Sequence, residues 1–342
     1  MRAKSTKVPM NKIIRNVRFI FPSLQYIISL SAKTCPVGEY CLLIQMHKMH
    51  GIAARRIEAM TTNRRIRKRY LPSGWYPEDS AEISSLVADL TKSQNNLSAY
   101  AVVAPHAGWY FSADLAARAV WALRDCDTVA ILGGHLGNGE PILYGDEDGF
   151  DCTVRDAEND IEVLNSLKAE LKNVGIQEMA PDRDIDNSVE ILLPLAGFRF
   201  PNARILWLRV PPDYKARELG SALFRAASSC KKQLVAIAST DLTHYGPNYG
   251  FMPRGLGEPA VQWVRNENDK GFISAALAMD ADKVLKHARN NFSACSSGAV
   301  AAAISFALNA GARHSLLIGH KLSIDIHPDR SFVGYAAIAF VP

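Results

Sequence analysis

Cysteine is scarce and unpatterned: the 342 residues hold six, at positions 35, 41, 126, 152, 230 and 295, with no CxxC pair. Such scatter in a chain of this size argues against a disulfide framework and fits a reducing cytoplasm. Long apolar runs are missing too. The nearest, Phe19 to Leu30, is about 12 long against the roughly 18 to 20 a membrane span needs, and Pro22, Ser23 and Gln25 interrupt it. No GxSxG, HExxH or kinase set occurs. Gly133-Gly134-x-x-Gly137-x-Gly139 lacks both the GxGxxG spacing and the GK[ST] ending of a phosphate loop.

Acid is nearly absent from Met1 to Tyr70, where 15 Lys and Arg face only Glu39 and Glu58. The remaining 24 basic residues face 32 acidic ones, so the net charge of +5 belongs to the leader and the body carries about −8. An acidic body argues against a nucleic-acid partner, and Arg64 to Tyr70 reads as a solvated basic arm. Residues 1–60 have little periodicity and internal methionines at 10, 46, 49 and 60. They read as a basic leader, either disordered or upstream of a true start at Met60, with a transit peptide as the other reading.

From Leu71 the pattern becomes regular. Apolar runs at Ala101–Ala104, Thr128–Leu132, Arg204–Val210, Leu234–Ala238, Ser315–Ile318 and Val333–Val341 alternate with helix-like stretches at Ser80–Leu90, Ser112–Leu123, Ala157–Lys172, Tyr214–Ser229, Glu258–Ala278, Ala281–Arg289 and Ser297–Asn309. The first four runs are nearly continuous, as in strands covered on both faces. The expectation is one three-layer α/β domain over residues 71–342 with a mostly parallel or mixed central sheet.

Polar residues gather where these strands end. Pro105-His106-Ala107-Gly108 follows the first, Gly133-Gly134-His135 the second, and Ser239-Thr240-Asp241-Leu242-Thr243-His244 the fourth, while Cys295 stands just before a nearly all-apolar helix with Ser296 or Ser297 as N-cap. In α/β sheets ligands collect at such ends. Neutral imidazole and thiolate suit Fe(II), Cu or Zn, and loops from distant strands can supply them without local ligand spacing. Asp241 and His244, three apart, share a face if the turn is helical, so that the carboxylate orients the imidazole or the pair exchanges a proton with substrate. Each residue alone has an ordinary reading: a hydrogen-bonded loop histidine, a small buried cysteine, a turn aspartate. Glu190 is open between a capping-box member with Asn187 or Ser188 and a buried carboxylate facing the site. The remaining histidines read as surface or structural residues.

The order of GWYPEDSAEI (74–83), VVAPHAGWYFSA (102–113), ILGGH (131–135), NSVEILLP (187–194), STDLTHYG (239–246) and ACSSGAVAAAI (294–304) resembles the Memo-like proteins, also called AmmeMemoRadiSam system protein B. That family is similar in fold to the class III extradiol dioxygenases, and the resemblance covers roughly Leu71 to Pro342. It implies a metal cleft at the strand ends with His106, His135 and Cys295 as ligands of copper or iron, zinc being a third option. It also implies Asp241, His244 and Glu190 as the catalytic set. Where the family commonly reads Gly-Pro-Ser-His-His this chain has Gly133-Gly134-His135-Leu136, so His135 is matched across a gap; Asn187 stands where a histidine is common. The implied activity is redox or oxygen chemistry on a small-molecule or peptide ligand, with radical SAM and AMMECR1-like proteins as partners and no membrane. The alternatives are a peptide- or phosphopeptide-binding module and a ring-cleaving dioxygenase.

Overall fold

The computed structural model describes residues 64–92, 96–177 and 179–342. The expectations for residues 1–60, including a start at Met60, lie outside the described residues. In the unit Arg64–Pro342 the elements run β1 (Ile66–Arg67), α1 (Ser80–Thr91), β2 (Ala101–Ala104), α2 (Trp109–Ala122), β3 (Thr128–Gly133), β4 (Ile142–Tyr144), β5 (Gly149–Asp151), β6 (Asp156–Glu158), α3 (Ile161–Asn173) and β7 (Met179–Pro181). They continue with α4 (Asn187–Glu190), α5 (Leu193–Arg199), β8 (Arg204–Arg209), α6 (Tyr214–Ser229), β9 (Leu234–Ser239), β10 (His244–Tyr245), α7 (Glu258–Trp263), α8 (Asp269–Leu277), α9 (Ala281–Asn291), α10 (Ser297–Ala310), β11 (His314–Leu322) and β12 (Phe332–Val341).

The nine-stranded central sheet has the order β7-β4-β8-β3-β9-β2-β12, with β10 and β11 both paired to β12. Its centre is parallel (β8 on β3, β3 on β9, β9 on β2), while β12 runs antiparallel to β2 and to β11. Period-two side-chain alternation divides the core between two faces. Val103, Leu132, Leu206 and Ala238 pack with α3, α6 and α10; Val102, Ile131, Ile205 and Ile237 pack with α1, α2 and α5. Burial on both faces is why these strands read as continuous apolar runs, and the protein has the expected three-layer α/β fold.

Helix starts follow local chemistry. Asp79, Asp160, Asp213 and Asp280 each accept a first-turn backbone N–H, a bond worth about 1 kcal/mol apiece. The long helix expected over Glu258–Ala278 is instead three pieces, because a π-turn at Val264–Asn268 separates α7 from α8. The turn brings the side chains of Asn268 and Asp269 inward. Asn268 Nδ2 donates to Thr243 Oγ1 at 2.9 Å, and Asp269 accepts from Thr243 and pairs with His320 Nε2 at 2.9 Å. Thr243, fully buried just after β9, thereby has every polar need met.

Candidate metal centre

Four segments distant in sequence meet at the C-terminal ends of β2, β3 and β9. His106 follows β2, and its ring is almost fully buried. Its Nδ1 lies 3.0 Å from Ser239 Oγ at the end of β9, while its backbone N–H donates to Asp241 Oδ1 at 2.8 Å. Asn187 Nδ2 also donates to the His106 carbonyl at 2.9 Å. These bonds fix loop and ring, leaving Nε2 pointed at Cys295 Sγ, 3.1 Å away.

His135 comes from the turn after β3 and holds a left-handed backbone, φ 59°. The glycines before it permit close approach rather than phosphate binding. A Cβ on Gly133 would lie 2.3 Å from Ser188 Oγ, and one on Gly134 would lie 2.3 Å from the Ser296 side chain. His135 Nδ1 bonds Asp186 Oδ2 at 2.7 Å, and the two imidazole rings stand edge-to-face at 4.8 Å. Burial pushes the His135 pKa down, but the bonds to Asp186 and Cys295 outweigh it and raise the pKa to about 9. Asp186 is driven well below the usual carboxylate range: burial opposes ionisation, and the His135 bond with the nearby Arg209 guanidinium overcomes it.

Cys295 sits just before α10, whose N-cap is Ser296 without a side-chain cap bond. Its backbone N–H donates to the Asp241 carbonyl at 3.2 Å, and Thr240 Oγ1 accepts from Ser296 N at 3.1 Å, tying the start of α10 to the end of β9. The ligand atoms of His106, His135 and Cys295 all lie within 4.8 Å of one another. Metal–nitrogen and metal–sulfur bonds of about 2.0 and 2.3 Å set donor separations near 3 to 4 Å. The donor set therefore fits a metal ion after a small side-chain rotation. Both imidazoles hold an oxygen partner at Nδ1 and keep Nε2 for the centre, the arrangement that orients metal-binding histidines.

A cavity of about 430 Å³ opens beside the cluster, lined by His106, His135, Asp241 and His244 among others. No helical turn forms between β9 and β10, and Asp241 and His244 both line this cavity nonetheless. His244 Nδ1 lies 3.1 Å from the Leu242 carbonyl, and burial lowers its pKa, so the ring is neutral near pH 7. Glu190 is not brought to the cavity. Its buried carboxylate instead accepts from Tyr70 N at 3.0 Å, Leu71 N at 2.8 Å and Tyr76 Oη at 3.2 Å, fastening the segment after β1 to α4. Burial and the Glu190 charge together push the Tyr76 phenol well up. Sequence reasoning missed Asp186, and also His327, Asp329 and Tyr335 on the cavity wall. His327-Pro328-Asp329 in the loop before β12 was the available signal for two of them.

Among the described residues, no helix is long and apolar enough to cross a membrane. A family model described as Memo-like protein matches residues 67–339. A MEMO1 family protein of Thermococcus onnurineus is 28% identical over 291 residues, 80% of this chain and 99% of that one. Another from Pyrococcus horikoshii is 29% identical over 282 residues, 77% of this chain and 95% of that one. A third, from Methanococcoides burtonii, is 30% identical over 241 residues, 69% and 84% of the two chains. With the family match running from β1 through β12 and enclosing every residue of the cleft, the chain belongs to the Memo-like family.

Proposed function

We propose that the cleft binds one transition-metal ion, copper or iron ahead of zinc, through His106 Nε2, His135 Nε2 and Cys295 Sγ, and serves a redox or oxygen-dependent reaction on a small-molecule or peptide ligand. The observation that carries this reading is the pair of imidazoles anchored at Nδ1 with their free nitrogens beside one thiol. A soft thiolate with two imidazoles selects copper, iron or zinc over hard cations, and copper or iron supplies one-electron chemistry when bound.

The surrounding residues handle protons and position. Asp241 holds the His106 loop by its backbone N–H. With Nδ1 of His244 directed at the Leu242 carbonyl, Nε2 is the free basic nitrogen, suited to taking a proton from a ligand in the cavity. Ring cleavage of the extradiol type is less favoured, because such iron sites use a carboxylate where this cluster offers Cys295. The reading places the protein in the cytoplasm, where a thiol ligand stays reduced, with radical SAM and AMMECR1-like proteins as the partners to test.

Elemental analysis of protein purified without oxygen tests the ligand set. About one equivalent of copper or iron is expected in the parent chain, and His106→Ala or Cys295→Ala is expected to lose most of it; full occupancy in both variants overturns the assignment.

A further inference from the structure

His244 and Tyr249 line two cavities. One is the metal cleft; the other, of about 490 Å³, lies on the Cys295 side and is walled by Phe251, Phe292 and Arg289. Its charge differs from that of its neighbours. Asp241 and Asp329 line the metal cleft, and Glu78, Glu82 and Asp114 line the groove along α1, whereas the second cavity is lined by no carboxylate and by one guanidinium. Among the described residues Arg289 has no ion-pair partner, although the body of the protein is acidic.

Phe292 is costly where it stands. It ends α9 in the left-handed conformation, φ 50° and ψ 39°, a position that glycine or asparagine fills at lower cost. The residue is 67% exposed, its ring against that of Phe251 at 5.3 Å between centroids. Neither the backbone strain nor the exposed ring serves the core. Both serve a cavity wall: the Phe292 and Phe251 rings form an apolar shelf, and the Tyr249–His244 edge-to-face pair at 4.9 Å closes the end nearest the metal cleft.

We infer that this cavity binds the body of the ligand, a small organic carboxylate with a ring-sized apolar portion. The carboxylate pairs with Arg289, the apolar portion lies on Phe251 and Phe292, and the reactive end reaches Cys295 and His244. This rests on the metal-centre reading for its chemistry, but binding to the shelf does not require the metal.

The test is calorimetric titration of the full chain with 3-phenylpropionate, beside 3-phenylpropan-1-ol and acetate. Saturable binding of the acid is expected, with the alcohol about threefold and acetate about tenfold weaker, because an ion pair to the solvent-exposed Arg289 contributes a few-fold and a covered ring more. Arg289→Met is expected to weaken the acid about threefold and to leave the alcohol unchanged, and Phe292→Gly to weaken both. Parent protein stripped of metal by a chelator should bind the acid as the untreated parent does, which separates this inference from the metal assignment. No binding of the acid, equal binding of acid and alcohol, or an Arg289→Met variant that binds the acid as the parent does overturns it.

Discussion

His106 Nε2 and Cys295 Sγ stand 3.1 Å apart although 189 positions separate them in the chain. The third donor joins them through Gly134, whose α-carbon packs against Ser296 so closely that an added methyl would sit 2.3 Å from the serine side chain. Gly134→Ala must therefore push the β3 turn away from α10. The expected result is destabilisation of about 2 kcal/mol, the scale of overpacking in a tight core, and a metal content well below the parent's. Chemical denaturation and elemental analysis on the same preparation check both.

Asp186→Asn keeps the side-chain shape but weakens the hold on His135 Nδ1. Metal affinity is expected to fall about 10- to 100-fold, as for other outer partners of metal-bound histidines, measured by competition with a chelator. The metal-free protein adds a pH signature. The His135 pKa, raised to about 9, lies above its unfolded value of about 6.5. Its contribution is thus fully present below about pH 6.5 and lost as pH rises through about 9. Asp186 is depressed, so its contribution is present above about pH 4 and lost as pH falls toward its lowered value. The stability gap between parent and Asp186→Asn should be widest between about pH 4 and 6.5 and shrink toward pH 9. Metal must displace the His135 proton, so parent affinity should rise with pH up to about 9.

Glu190→Ala tests whether that carboxylate is structural. Removing it leaves the N–H groups of Tyr70 and Leu71 and the Tyr76 hydroxyl without their acceptor in a buried setting. A loss of about 2 to 4 kcal/mol is expected by denaturant titration, with metal content unchanged per folded molecule. A stable variant that has lost its metal would return Glu190 to the site.

The sequence carried most of the fold because burial on both faces writes itself as unbroken apolar runs. Ala101–Ala104 and Tyr214–Ser229 have the bounds read from the pattern. What escaped was structure whose cause is not local. The three-residue strands β4 and β7 carry too few residues to show a period, and their pairing depends on neighbours. The π-turn at Val264–Asn268 is invisible in a helical pattern, since its reason is the need of buried Thr243 for Asn268 and Asp269. At the site, His106, Asp241 and Cys295 were legible from strand ends and motif order. Asp186 was not: nothing in Asp182-Arg183-Asp184-Ile185-Asp186 singles out the one aspartate that faces His135. Glu190 failed for the opposite reason, a recognisable motif whose carboxylate turns away from the cavity toward three donors.

Phe292 offers a case in which stability and binding should move in opposite directions. Glycine adopts φ near 50° without strain, and removal of the side chain of a residue already 67% exposed forfeits little burial. Phe292→Gly is therefore expected to leave the protein as stable as the parent or more stable by up to about 1 kcal/mol, read as the midpoint of thermal or urea unfolding. A phenylalanine kept there for packing alone would predict the reverse, a loss of about 1 kcal/mol or more from the broken contact with Phe251. A stabilised variant that no longer holds an aromatic carboxylate would show strain retained for the ligand, as expected where activity draws on a destabilised site.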